Sequence, residues 1–344
     1  MTLTPDGYPI LIEENVSGFS YWLLLFTGQD PSAGRVEEVI GYCVNKEKKT
    51  KMSTLRYQIS RNIARLLPDK LYLSIKFRTH MGYWMDWRNP KTFSEKLQWL
   101  KVYDRHPEYT EMVDKVAAKD YVAGIIGKEY VIPTLAVYNS ADEIDFDALP
   151  NQFVLKCTHD SGGLVVCKDK SKLDVNEARE KLRKGLKRTY IVQNREYPYK
   201  NVPRRIIAEL YMEDESGELK DYKFFCFDGK VQCFKIDFDR FSIHRANYYD
   251  KNGNLLKFGE ADFPPDYDRK INLPSNIKEM IAVAETLSAG FVFIRVDLYN
   301  VQGQIYFGEM TFFPASGMGR FTPEEWDYKL GECIKLPHNT KGRW

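Results

Sequence analysis

Histidine and cysteine are scarce. The 344 residues hold five histidines and six cysteines. The cysteines, Cys43, Cys157, Cys167, Cys226, Cys233 and Cys333, form no CxxC pair and keep no regular spacing with the histidines. A zinc knuckle is therefore excluded, and reduced thiols are expected. No hydrophobic run approaches the roughly 20 residues that a bilayer requires; the most apolar early run, Tyr21 to Phe26, falls far short. No signal-peptide layout precedes it, so a cytoplasmic protein is expected. Nor is there an excess of one charge. Fifty Lys+Arg against 48 Asp+Glu leave a net charge of +2, which excludes wholesale nucleic-acid binding through a basic field. The GxxxxGK[ST] and GxGxxG spacings are both missing, so neither a P-loop nor a Rossmann site is indicated. Repeats and low-complexity tracts are absent as well.

What is present describes a folded chain. Hydrophobic residues make up 43% and charged residues 28%, close to the globular average. At roughly 150 residues per domain the length suits about two domains, or one domain of two lobes. Residues 1–51 read differently from the rest, ending in a lysine cluster and showing no amphipathic period; they are an atypical extension, with Met52 as an alternative start. Met52 opens a run of helix formers, with Leu55, Ile59, Ile63, Leu66 and Leu67 at helical spacing. The basic stretch from Arg56 to Arg78 is expected to pack its apolar stripe on the domain core, peripheral association with an anionic membrane surface being the alternative.

A helix is predicted after Asn89-Pro90-Lys91, capped by Thr92 or Ser94, and a second from about Tyr109 to Gly124. Strands are predicted at 132–138, 153–158, 164–167 and 205–212. A helix over 175–186 separates the last two. Asp221–Phe227 and Lys230–Asp237 form a hairpin about Asp228-Gly229. A helix over 275–287 and a hairpin of 291–299 with 304–312 complete the pattern. Hairpins with intervening helices make an α+β fold. The expected division is 52–140 as a helical N-terminal region, 141–212 and 213–337 as two lobes, and 338–344 as a tail.

Three constellations carry chemistry. Lys156 ends an apolar strand and is followed by His159 and the loop Ser161-Gly162-Gly163, where glycines let backbone N–H groups approach a phosphate; an ordinary glycine turn beside a surface lysine is the plain alternative. Arg295, Asp297, Glu309 and Thr311 lie on the last hairpin. A three-residue turn at Val301-Gln302-Gly303 would place Asp297 opposite Phe307, with Glu309 its diagonal neighbour. Two carboxylates and a hydroxyl then suit magnesium shared with nucleotide phosphates, and Arg295 suits developing charge; a plain Arg295 salt bridge is the alternative. The third is the apolar strand ending in Glu209-Leu210-Tyr211-Met212, followed by Asp221-Tyr222-Lys223.

In this order the residues resemble the ATP-grasp nucleotide site and, more closely, the TupA-like ATP-grasp family of bacterial surface-polysaccharide gene clusters. The stretches that carry the likeness are 89–101, Val113-Asp114-Lys115, 149–159, 221–229 and 295–312. The resemblance spans roughly residues 70–337. It implies two lobes of antiparallel sheet clamping ATP, with Lys115 and Lys156 as α-phosphate and adenine-side lysines, Glu209 to Met212 as the adenine hinge, and Ser161-Gly162-Gly163 as a flap beside His159. It further implies Lys223 on phosphate, Arg295 on the transferred phosphoryl group, and Asp297, Glu309 and Thr311 around Mg2+. Thr311 departs from the wider pattern, which has asparagine there. The implied activity is ATP-dependent joining of a carboxylate to an amine through an acyl phosphate, on a carboxylated sugar or glycan with an amino acid or other amine as partner. Glycosyl transfer and sugar phosphorylation are the competing readings. Asp237-Phe238-Asp239 follows an antiparallel strand and not a Rossmann-like unit, so it does not support sugar transfer. Trp84, Trp87 and Trp99 are candidates for stacking on sugar rings, each expected more readily in the core.

Overall fold

The computed structural model describes residues 66–337 except 161, 215, 216, 218 and 240–242. The extension 1–51, nearly all of the helix expected from Met52, and the tail 338–344 lie outside the described residues. In chain order the elements are α1 (Asp69–Met81), α2 (Phe93–Tyr103), α3 (Tyr109–Val113), α4 (Ala117–Ile126), β1 (Thr134–Tyr138), β2 (Phe153–Cys157), β3 (Leu164–Cys167), α5 (Val175–Leu186), α6 (Tyr190–Asn194), β4 (Ile206–Leu210), β5 (Asp221–Phe227), β6 (Lys230–Phe238), β7 (Arg245–Asp250), β8 (Leu255–Leu256), β9 (Gly259–Glu260), α7 (Ile277–Leu287), β10 (Phe293–Val301), β11 (Gln304–Thr311), β12 (Phe321–Thr322) and α8 (Glu325–Cys333). Helices alternate with antiparallel sheets, as an α+β chain requires. Among the described residues no helix is long and apolar enough to cross a membrane.

Local chemistry explains the helix ends that matter. Thr92 caps α2: its hydroxyl accepts from the Glu95 amide at 3.1 Å while the Glu95 carboxylate accepts from the Thr92 amide at 3.1 Å, a reciprocal capping box. Ser94, the other candidate cap, instead donates its amide and hydroxyl to Asp327 of α8. The helix predicted over 109–124 is broken. Asp114 turns extended, with φ −73° and ψ 114°, because its carboxylate accepts from the Val116 amide at 3.1 Å and pairs with Arg205 at 2.6 Å. Lys115 is thereby released from both helices into a turn.

Two sheets follow. The small one runs β1-β4-β2-β3, so β1 joins it from ahead of residue 141. Strand alternation sends Phe153, Leu155 and Cys157 into a core with Val165, Leu182, Ile206 and Ala208 under α5, and leaves Val154, Lys156, Leu164 and Val166 on the opposite face. The large sheet runs β11-β10-β5-β6-β7-β8. One face buries Phe224, Cys226, Ile294, Val296 and Leu298 with Met280 and Ala284 of α7. The other face is divided. At one end Phe93 of α2 sits among Phe225, Phe227 and Phe293, with ring centroids 6.4, 6.0 and 4.9 Å away; burying such a ring contributes roughly 1.5–3 kcal/mol. At the other end the face is ionic.

Candidate nucleotide and metal site

A cavity of about 500 Å³ separates the free face of the small sheet from the ionic end of the large one, lined on one side by Lys115, Lys156 and Glu209 to Met212 and on the other by Lys223 and Glu309. Its apolar floor includes Val154, Val166 and Phe307. Glu209 is buried and holds two lysines, Lys119 at 2.5 Å and Lys156 at 2.6 Å. Burial works against its charge, yet the two ammonium groups prevail and hold the carboxyl at about 2. Lys119 is the residue that sequence reasoning missed. Its signal was available in the unbroken helix predicted from Tyr109, where Lys119 would lie one turn beyond Lys115 on the same side. Lys115 donates to the Asp160 carbonyl at 2.9 Å, and burial pulls its pKa down against the pull of Glu309.

Past the end of β4, the backbone of Tyr211 and Met212 makes no hydrogen bond among the described residues, whereas the Leu210 amide is taken by the Pro133 carbonyl at 3.1 Å. The backbone left unbonded at this end of β4 is therefore that of Tyr211 and Met212. The flap is only partly in view. Ser161 lies outside the described residues, the Gly162 amide donates to Asp160 at 3.0 Å, and Gly163 lines the cavity. His159 departs from expectation. It is not among the residues lining the cavity; its Nε2 meets the Arg188 carbonyl at 3.3 Å, and burial lowers its pKa. An imidazole held this way supports the root of the flap. Nor do the tryptophans line the cavity: Trp99 is buried, Trp87 donates to Ser74, and Trp84 is exposed.

Two β-bulges assemble the ionic face. The β10–β11 turn has two residues, Gln302 and Gly303, both at positive φ (52° and 86°), and it pairs Val301 with Gln304. Continued without interruption, that register would set Asp297 opposite Gly308 and turn Glu309 toward the core. A shift at Gly308 restores the pairing, so that Asp297 lies opposite Glu309 and Arg295 opposite Thr311. The expected partner of Asp297, Phe307, faces Leu298 instead. The cause is the left-handed Gln302, which shortens the turn by one residue, and the bulge that compensates. In β5–β6 a shift between Phe225 and Cys226 likewise aligns Lys223 with Lys235 and Asp221 with Asp237.

Arg295 is the hub of this face. Its Nε donates to Asp297 Oδ1 at 2.6 Å, and its Nη2 to Asp297 Oδ2 at 2.7 Å, Glu309 Oε1 at 3.0 Å and Thr311 Oγ1 at 3.1 Å. Lys223 bonds Asp221 and reaches Asp297 at 2.6 Å. Burial pulls Lys223 down, but Asp221 and Asp297 raise it further. Burial pushes Asp297 up against Arg295 and Lys223, and raises Glu309 less than Arg295, Lys223 and Lys115 lower it, to about 2. Met310 is buried in the core and also borders the cavity. The donor set fits a hard cation: oxygens of Asp297, Glu309 and Thr311 converge within 3.1 Å of one guanidinium nitrogen. With only two acids there, the described residues hold no metal cluster of three or more His, Cys, Asp or Glu side chains. Phosphate oxygens would have to complete a Mg2+ shell.

The α+β fold thus sets lysines on one wall of the cavity and a cation-centred acid cluster beside the other. The profile of the TupA-like ATPgrasp family matches residues 95–335, and the chain belongs to that family. Members of the ATP-grasp class are ATP-dependent ligases that use ATP and Mg2+. No curated protein matches the chain. Among solved structures it is similar to D-alanine–D-alanine ligase from Bacillus anthracis complexed with ATP (17% identity, TM-score 0.36, covering 65% of this chain and 63% of that one). The same enzyme from Helicobacter pylori gives 15% identity and a TM-score of 0.38 over 70% and 69% of the two chains. A RimK domain ATP-grasp protein from Sphaerobacter thermophilus gives 11% and 0.35 over 66% and 69%. This chain thus spans less than two thirds of the length of the first of these.

Proposed function

We propose that the protein is an ATP- and Mg2+-dependent carboxylate–amine ligase that works through an acyl phosphate, and that its carboxylate belongs to a sugar or glycan of a capsular or cell-wall polymer. One observation supports the chemistry: Lys115 and Lys156 of the small lobe and Lys223 and Glu309 of the large one line a single cavity, and Arg295 joins Glu309 to Asp297 and Thr311 beside it. The glycan rests on the family alone. Lys115 and Lys156 would bind phosphates, and the Tyr211–Met212 edge would take the adenine. Asp297, Glu309 and Thr311 would hold Mg2+, whose part is to neutralise phosphate charge. Arg295 would then turn from the acids to the group in flight, and Lys223 would fix Asp297 meanwhile. Phosphoryl transfer asks mainly for such positioning and charge compensation. A place at the inner face of the cell membrane goes with this reading.

The test incubates the protein with Mg-ATP, hydroxylamine and uronic-acid oligosaccharides. ADP formed together with a hydroxamate supports the ligase. ADP with a stable phosphorylated sugar would reassign it as a kinase, and a thermal shift from UDP-sugars without one from Mg-ATP would reassign it as a glycosyltransferase. Mg-ATP should raise the melting temperature, and Asp297→Asn with Glu309→Gln should remove the magnesium-dependent part.

A further inference from the structure

The ionic face continues past the residues used so far. On β6, beside Lys223, Asp237 is 3% exposed and its Oδ1 has no hydrogen-bond partner among the described residues. Lys223 Nζ and Lys235 Nζ are each 3.8 Å from its carboxylate, and His244 Nε2 is 3.5 Å from Oδ2. Both lysines are committed elsewhere, Lys223 to Asp221 and Asp297 and Lys235 to Glu260 at 2.7 Å. Asp237 is thus left to the imidazole. His244 lines the same cavity as Lys223 and Glu309, its ring is 4.3 Å from that of Phe263, and its Nε2 likewise has no hydrogen-bond partner. Catalytic hydrogen bonds are often long until substrate binds. An imidazole at the cavity wall with a buried carboxylate behind it is the arrangement of a base and its orienting group.

We infer that His244, oriented by Asp237, is the general base that takes a proton from the amine substrate. The inference rests on the ligase reading. The incoming R–NH3+ gives one proton to the imidazole, and the free amine attacks the acyl carbonyl. The C–N bond forms as the C–O bond to phosphate breaks. Phosphate leaves with the electron pair and takes the second proton of the nitrogen, and the imidazolium returns its proton to water. With Nε2–H given to Asp237, Nδ1 is the basic nitrogen, and Asp237 is a positioning residue. The other charges around the pair are Asp221 and Lys223 on β5, Lys235 on β6, Glu260 on β9, and Arg245, whose guanidinium is 3.4 Å from the Pro265 carbonyl; Arg269 lies 3.6 Å from Asp239.

Hydroxylamine separates this step from activation, because it is uncharged at neutral pH and needs no base. With Mg-ATP and the uronic acid that yields most hydroxamate, His244→Gln should form hydroxamate within about threefold of the unaltered protein, whereas amide formation with glycine should fall about 100-fold or more. The residual amide rate should climb about tenfold per pH unit above neutrality, where that of the unaltered protein levels off. Asp237→Asn should behave similarly but more mildly, with its Mg-ATP thermal shift intact; if it does not fold, His244→Gln decides alone. Equal losses of amide and hydroxamate, or unchanged pH profiles, would overturn the inference and leave the ligase standing. No hydroxamate from the unaltered protein would overturn both.

Discussion

The two sheets that wall the cavity are built by opposite rules. In the small sheet β1 and β4 shift register between Thr134 and Ala136, but β2 pairs with β3 and β4 without a shift, so simple alternation puts Val154 and Lys156 on the cavity face. In the large sheet, the same result needs a bulge in each of two hairpins. Charge divides in the same way. The small-lobe side holds Glu209 between Lys119 and Lys156, and Asp160 beside Arg188, with Lys115 and Lys168 also on the cavity, a surplus of positive charge suited to phosphates. The large-lobe face holds Asp221, Asp237, Glu260, Asp297 and Glu309 against Lys223, Lys235 and Arg295, a surplus of negative charge suited to a metal ion and a protonated amine. Regular pairing suffices to display lysines, which reach far on flexible stems. Short carboxylates that must converge need register set to within one residue, because a slip of one sends them to the other face.

The harshest way to break this contrast is Asp297→Ala. It removes the acceptor of three charge-assisted bonds and leaves Arg295 and Lys223 buried with too few partners, a loss of about 3–5 kcal/mol. A melting point lowered by roughly 10 °C with no ADP formation is expected. Glu209→Gln tests the other wall and should lose on the order of 2–3 kcal/mol. The sign is set by its depressed pKa: the stabilisation is present above the unfolded-state carboxyl pKa and fades as pH falls toward about 2. Melting curves of the two proteins should therefore converge between about pH 5 and pH 2; a gap that stays constant would show that the contribution of Glu209 is not ionic.

How far the sequence discloses all this differs between the two walls. Strands, their order of appearance and the small-lobe site follow from alternation and turn residues, and Lys156 lies where the period of two sends it. The family likeness carried Lys115 through, although its local setting, a helix break at Asp114, was hidden in an unbroken helical pattern. The large-lobe face was legible only in outline. Arg295 and Asp297 share a face by simple period, but Glu309 was placed with the right face and the wrong partner, since neither a left-handed Gln302 nor a bulge at Gly308 has a distinctive residue signal. Lys235 and His244 escaped notice for a related reason, and Asp237 was weighed only within Asp237-Phe238-Asp239. An unbulged hairpin about Asp228-Gly229 would set Lys235 beside Tyr222, on the core face.

Gly308→Ala tests the bulge directly. A Cβ there would stand 3.0 Å from the Asp297 carbonyl and 3.1 Å from the Tyr299 ring, tighter than ordinary contact. The backbone must yield by a few tenths of an ångström, at about 1–3 kcal/mol. Because Glu309 follows immediately, hydroxamate formation should fall further than stability suggests, by roughly 100-fold for a displacement near 1 Å. Unchanged activity would show that the bulge tolerates a side chain and that the placement of Glu309 does not depend on it.

The smallest effect should come from a residue on neither wall. Trp84 is 63% exposed and, unlike Trp87 with its bond to Ser74, makes no hydrogen bond or ring contact among the described residues. Exposed side chains away from such contacts alter stability by no more than about 0.5 kcal/mol, so Trp84→Ala should leave the melting point almost unmoved. If recognition is confined to the two sheet faces, the KM for a uronic-acid oligosaccharide should not move either. A glycan extending out of the cavity along the α1–α2 connection would give the opposite result: aromatic stacking on sugar rings would be lost, KM would rise with chain length while kcat held, and a monosaccharide acid would show no difference. That pattern would extend the binding surface beyond the two sheets and replace a two-walled site with a longer groove.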